Sequence, residues 1–164
     1  MSSSVRAFVG LGANVGDVGT TLAEAIWAID GLPQTSVRRQ SPWFRSPPWG
    51  RADQPEFTNG VVELQTRLVA DELMQRLLEI EVRFGRVRSD DDRWGPRTLD
   101  LDLLVYGEQV IDVPGLQVPH PGVPVRAFVL LPLSRIAPSL EIPGQGRVDE
   151  MLARLDSTGL RELD

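Results

Sequence analysis

Residues 93–107 read RWGPRTLDLDLLVYG. Leu99, Leu101, Leu103 and Val105 alternate with other residues, the period of a strand with one face in a core. That spacing puts Asp100 and Asp102 together on the other face, roughly 7 Å apart by strand rise. Two carboxylates held a few ångströms apart repel by about 3 kcal/mol at an effective dielectric of ~20. Positive groups must therefore face them. The stretch predicts a strand over 98–106 and a charged site on that strand's second face.

Working outward, DELMQRLLEIEVRFG (71–85) predicts an amphipathic helix with Leu73, Leu77, Ile80 and Phe84 as its stripe. Asp71 and Glu72 complement the dipole of its first turn, and Gly85 ends it. The polar, Gly/Pro-bounded 85–96 is a loop, as is SPPWGRADQP (46–55). Strands are expected at 5–11, 35–45 (with Pro42 at an edge position or bulge) and 57–66. A helix is expected over 18–30, carrying Leu22, Ala25, Ile26 and Ile29, with Gly31 as its stop. The order β-α-β-β-α-β implies an α+β fold, a ferredoxin-like antiparallel sheet with helices packed on one face. Residues 107–164 form a C-terminal extension of short strands, a Pro-rich turn and a short helix around 148–155. No repeat, low-complexity tract or long linker divides the chain, so 1–164 reads as a single domain.

Composition excludes several classes of function. With 41% hydrophobic and 24% charged residues the chain is globular, and no window approaches the ~18 apolar residues of a membrane span. The start, MSSSVRAFVG, lacks the apolar stretch of a signal peptide, and there is no cysteine, which fits a cytoplasmic location. A net charge of −6 argues against nucleic-acid binding. All 17 basic residues are arginine, so Walker A, kinase-type and Schiff-base lysines are excluded. His120 is the single histidine.

The glycine pattern GLGANVG (10–16) follows a strand and opens a helix, but its spacing departs from a dinucleotide fingerprint, and it reads as a strand-to-helix turn. The Asp100/Asp102 pair has two readings. One is a salt-bridge network with Arg93 or Arg97; the other is a site for divalent cations, where oxygen-only ligands favour magnesium over zinc. Arg83, Arg86, Arg88, Arg93 and Arg97 fall within fifteen residues, most of them on the loop leading to that strand. Asp90, Asp91 and Asp92 interrupt the cluster, and a self-neutralised solvated loop is the alternative. Guanidinium groups fork onto phosphate oxygens, so arginines beside paired carboxylates suit a magnesium polyphosphate. Phe57 and Asn59 share a strand face, a stacking ring beside an amide that offers one donor and one acceptor to a flat heterocycle. The stretch VPHPGVPVRAFVLLPL (118–133) adds His120, Arg126 and Phe128.

Taken together these residues resemble the 6-hydroxymethyl-7,8-dihydropterin pyrophosphokinases of folate biosynthesis, over nearly the whole chain. The matching pieces are GLGANVGD, FRSPPWG, DQPEFTN, GRVR, RWGPRTLDLDLL and VPHPGVPVRAFVLLPL, in family order and spacing. The resemblance implies an ATP-dependent diphosphotransferase. It moves pyrophosphate from ATP to the hydroxymethyl group of the dihydropterin and releases AMP. Asp100 and Asp102 would bind two magnesium ions bridging the ATP phosphates, with Arg86 and Arg97 as catalytic arginines. Glu81, Arg88, Trp94, Arg97, Leu103, Gln117, His120 and Arg126 fall at ATP-site positions. Phe57 and Phe128 would sandwich the pterin, with Asn59 on its edge and Ser46, Pro48 and Trp49 closing the pocket. Pro121 stands where many members carry an aromatic residue, and Gly115 and Gln117 where some carry arginine and threonine. The expected partners are the two small-molecule substrates, with no nucleic acid and no membrane, and the expected state is a monomer. Two rival readings fit parts of the pattern, namely a palm-like nucleotidyltransferase and an RNA-binding module of the same strand order.

Overall fold

The computed structural model describes residues 3–47, 55–84 and 99–163. Strands β1 (Val5–Ala13), β4 (Phe57–Thr66) and β5 (Asp100–Tyr106) are neighbours in an antiparallel sheet, with β1 between the other two and β5 at the sheet's end. Strands β2 (Thr35–Gln40) and β3 (Phe44–Ser46) both lie on the far edge of β4, one after the other. Helices α1 (Val18–Asp30) and α2 (Ala70–Arg83) connect these strands. The expected single strand over 35–45 is thus two. At the break, the Ser41 hydroxyl accepts the Val61 N–H at 2.9 Å and the Ser41 N–H donates to the Val61 carbonyl at 2.9 Å, so the ladder continues past Pro42, which has no N–H to give.

Helices α1 and α2 cover one face of the sheet. Leu22, Ala25 and Ile29 of α1 and Leu73, Leu77 and Ile80 of α2 pack on Val9, Leu11, Leu64, Leu101 and Leu103. The Asp17 carboxylate caps the first turn of α1 by accepting the Thr20 N–H. The expectation of helices on one face is corrected by the rest of the chain. After the hairpin β6 (Ile111–Val113) and β7 (Leu116–Val118) come α3 (Ala127–Ile136), the small hairpin β8 (Glu141–Ile142) and β9 (Gly146–Arg147), α4 (Val148–Ala153) and β10 (Arg161–Glu162). Val129, Leu130 and Leu133 of α3 and Val148 and Met151 of α4 bury a second core against Phe8, Val61, Leu104 and Val105. The extension exists because those four sheet residues are apolar on the side that α1 and α2 leave open. Strand β10 finishes on the outer edge of β3.

The expected alternation along β5 fails at Val105, for a local reason. Val9 pairs with Leu103 but Phe8 pairs with Val105, so Leu104 is one extra residue opposite β1. Such a bulge resets which face a side chain meets. Leu104 and Val105 both join the second core, and Tyr106 returns to the first. Asp100 and Asp102 precede the bulge and keep the predicted alternation. Among the described residues no helix is long and apolar enough to cross a membrane.

Candidate active site

The site begins with two glycines in the middle of β1. Gly10 and Gly12 alternate with Val9, Leu11 and Ala13, which point into the first core, so the glycines face the other side. Gly12 pairs with Asn59 on β4 and with Asp100 on β5, and Gly10 pairs with Asp102. Paired residues across an antiparallel sheet share a face. One row therefore runs Phe44, Asn59, Gly12, Asp100, and the next runs Val61, Gly10, Asp102. The glycines give that face a floor without side chains between an amide and two carboxylates. A Cβ on Gly12 would lie 2.4 Å from the Asn59 amide nitrogen; one on Gly10 would make ordinary contact with Leu104 at 3.5 Å. The reading of GLGANVG as a turn is corrected accordingly. Its first two glycines are strand residues, and the turn comes later, at 14–17. Buried Asn14 closes that end, its amide donating to the Pro55 carbonyl at 3.0 Å.

Asn59, Phe57, Asp100 and Asp102 are all half-buried. Ser46 pairs with Phe57 and is buried, with its hydroxyl unbonded among the described residues. Glu81 is 1% exposed on α2, and its carboxylate accepts the Leu101 N–H at 2.7 Å. Leu101 lies between the two aspartates, so Glu81 holds the strand that carries them.

On the far side of β5 is a cavity of about 520 Å³ lined by Asp102, Leu103, Gln117, His120, Met74 and the β6–β7 hairpin. Gln117 is exposed and donates from its amide to Asp112 across that hairpin at 2.9 Å. His120 is held against β5 by its N–H, which donates to the Leu104 carbonyl at 2.8 Å. Its Nδ1 accepts the Gly122 N–H at 2.9 Å, which leaves Nε2 to carry the proton of a neutral ring. Burial, and next the Arg126 charge, hold the His120 pKa below the usual histidine value, while Asp100 pulls the other way. A native pKa below the unfolded one means that the unfolded chain takes up the proton first. His120 should therefore contribute stability that is fully present above about pH 6.5 and is lost as pH falls through the native value. Urea melts between pH 7.5 and 5 on the natural chain and on His120→Gln check this, and the variant should show the shallower decline.

Arg126 lies over the Phe128 ring, its guanidinium carbon 5.8 Å from the centroid. Its other neighbour is Gly122, where a Cβ would come within 2.6 Å of the Arg126 Nε. Gly122 thus fixes the His120 tautomer through its N–H and makes room for Arg126 through its missing side chain. Gly122→Ala should leave the melting temperature within a few degrees, because the backbone there is ordinary (φ −80°) and a flexible arginine yields. On the ATP-site position that the resemblance implies for Arg126, it is expected to weaken nucleotide affinity by about tenfold, the scale of one charge-assisted hydrogen bond. Thermal melts and magnesium–ATP titrations separate the two effects.

The structure thus gathers Asp100, Asp102, Asn59, Phe57 and Ser46 on one sheet face, and Leu103, Gln117 and His120 beside the adjoining cavity. Pro48, Trp49, Arg86, Arg88, Trp94 and Arg97 lie outside the described residues. Sequence reasoning missed the parts played by Gly10, Gly12 and Gly122. The alternation of glycine with Val9, Leu11 and Ala13 was the available signal for the first two. A separate cavity of about 620 Å³ lies between the ends of α1 and α2, around Trp27 and Arg76, and shares no residue with the aspartate face.

Comparison with known proteins bears on this arrangement. The family profile of 7,8-dihydro-6-hydroxymethylpterin-pyrophosphokinase (HPPK) matches residues 8–138, a span holding every candidate residue named above. The 2-amino-4-hydroxy-6-hydroxymethyldihydropteridine pyrophosphokinase of Pseudomonas aeruginosa is 45% identical over 158 residues, 96% of each chain. The protein of the same name from Methylorubrum extorquens is 44% identical over 160 residues, 97% of this chain and 99% of that one. Among solved structures, wild-type Plasmodium falciparum HPPK-DHPS with STZ-DHP superposes with a TM-score of 0.66 at 10% identity, over 94% of this chain and 42% of that one. An HPPK-DHPS in complex with substrates gives 0.67 at 11% identity, over 92% and 43%. These two likenesses show a shared fold, and this chain spans less than half of those longer proteins. Identity of 45% over nearly the full length and a family match across 8–138 agree: the chain belongs to the 7,8-dihydro-6-hydroxymethylpterin-pyrophosphokinase family, and is an enzyme of the diphosphotransferase class.

Proposed function

We propose that this protein transfers pyrophosphate from ATP to the hydroxymethyl group of 6-hydroxymethyl-7,8-dihydropterin, giving AMP and the dihydropterin diphosphate for folate biosynthesis. The observation that carries the reading is the row Asn59, Gly12, Asp100 across three strands. It sets an amide suited to a heterocycle edge and a carboxylate suited to a cation on either side of a bare backbone floor.

The pterin half of the site is assigned to Phe57, Phe128, Asn59 and the strand end at Ser46, with Pro48 and Trp49 completing it. The nucleotide half is assigned to the cavity beside β5, with Leu103, Gln117, His120 and Arg126, supported by Glu81 and joined by Arg88, Trp94 and Arg97. Arg86 and Arg97 are assigned to charge neutralisation at the transferring group. The donor chemistry fits magnesium. Asp100 and Asp102 are hard oxygen ligands, and the described residues hold no cluster of three metal-binding side chains, so water and phosphate oxygens would complete the shell. Two ions are expected, and when bound they supply charge stabilisation to the phosphates. The chain's own part is to hold both substrates in line, the pterin hydroxyl facing the β-phosphorus, and to keep the His120 ring as a neutral donor.

The strand order, with β1 central and β2/β3 as one interrupted edge, supports reading the sheet as a ferredoxin-like layer within a single domain over 1–164. Composition supports a cytoplasmic location and action on small molecules without nucleic acid, and a monomer is expected. The test is incubation with magnesium, ATP and 6-hydroxymethyl-7,8-dihydropterin, followed by nucleotide chromatography. AMP is expected. Release of pyrophosphate instead would favour the nucleotidyltransferase reading, and no AMP from folded protein would defeat the proposal.

A further inference from the structure

His120 is tied down at a third point, from an element that plays no part in the site so far described. The amide Nε2 of Gln145 donates to the His120 carbonyl at 2.9 Å. Gln145 comes from the β8–β9 turn, 25 residues further along the chain, on the layer that covers the second face. Its placement follows from the sequence IPGQG (142–146). Proline followed by glycine favours a type II turn, which needs a positive φ at the glycine. Gly144 has φ +72°, and the Gln145 N–H closes the turn on the Ile142 carbonyl at 3.0 Å. Ile142 is 2% exposed in the second core. The turn is thus anchored at its base and rigid at its tip, and its last residue points at the histidine.

We propose that Gln145 is a positioning residue for the nucleotide half of the site, setting where His120 stands beside Asp102 and the cavity. This rests on the proposed function, in which His120 meets ATP. Three contacts constrain the histidine independently. Its N–H is on β5, its ring nitrogen is on Gly122, and its carbonyl is on Gln145. The carbonyl also accepts the Val123 N–H at 3.3 Å, a longer bond that persists when Gln145 is removed. That residual bond makes the expected effect graded, not total. Among the described residues the hydrogen bonds of Gln145 run to His120 and Ile142 and none reaches the pterin face or the aspartates, so its effect should be confined to one substrate.

The experiment uses the whole chain and its single histidine, whose imidazole proton signals are unambiguous in NMR. Gln145→Ala and Gln145→Glu are compared with the natural protein. Glutamate keeps the shape but loses the donor and sets a carboxylate against the carbonyl. Both variants should raise KM for magnesium–ATP by about threefold to tenfold, the range for one neutral hydrogen bond. KM for the pterin should stay within twofold, and the thermal melt of Gln145→Ala should change little. The histidine signal should move in both variants before any substrate is added, and the magnesium–ATP-induced shift should appear at higher nucleotide concentration. An unmoved histidine signal, an unchanged KM for magnesium–ATP, or an equal rise in both KM values would overturn the proposal. So would a natural chain whose histidine signal ignores magnesium–ATP. Failure of the proposed function shows separately, as absence of AMP from the natural protein.

Discussion

Replacing Asp102 by alanine is expected to remove AMP formation, by at least about a thousandfold. Asp102 is half-buried, opposite Gly10 on β1, and also borders the cavity assigned to the nucleotide. Losing it removes one of the two carboxylates proposed above as magnesium ligands, and with it the several kcal/mol of charge stabilisation at the phosphates that the proposal assigns to them. Each 1.36 kcal/mol is a factor of ten. Asp100→Ala should behave alike, because it faces the same floor one row away. Neither change should unfold the chain, since both carboxylates lie off the first core and alanine relieves their mutual repulsion. Single-turnover AMP release and a thermal melt on the same preparations decide the matter. A variant that loses folding along with activity would assign the pair to structure, as in the salt-bridge reading.

Gly12→Ala is expected to raise KM for the pterin by about tenfold to a hundredfold while leaving magnesium–ATP affinity near its natural value. A methyl there would lie 2.4 Å from the Asn59 amide nitrogen, so the amide must turn or withdraw. Two misplaced hydrogen bonds at about 0.5–1.5 kcal/mol each give that range. The neighbouring Gly10→Ala is the control. The atoms nearest its methyl belong to Leu104, from 3.5 Å, an ordinary contact that should cost little. Alanine is also no worse than glycine in a strand interior, so stability should hold in both. Equal effects of the two substitutions would show that the glycines matter for folding alone.

The β5 aspartates were legible, because alternation is local and charges spaced two apart in an apolar run must share the face turned away from the core. Helix α2 was legible for the same reason, from its stripe, although Glu81 on its buried side was not expected to be 1% exposed. Helix α3 was not foreseen. It is apolar on most sides because it is enclosed, and Pro132 lies inside it, a residue that ordinarily signals a helix end. The break of 35–45 into β2 and β3 depended on Ser41 bonding to Val61, twenty residues away. The bulge at Leu104 depended on how β5 meets β1.

By itself, then, the sequence determined the order of the main elements, the faces of β5 ahead of its bulge, the likeness to a pyrophosphokinase family and most of the side chains assigned to chemistry. Those are properties of spacing within one segment, where period and composition act over a few residues. Only the tertiary structure decided what lies between Asn59 and Asp100, why Gly12 and Gly122 must lack side chains, how Glu81 and Gln145 support residues they do not adjoin in sequence, and that a second helical layer covers part of the aspartate face of the sheet. Each of these is a contact between segments, and strand pairing sets such contacts by register, which no single segment encodes.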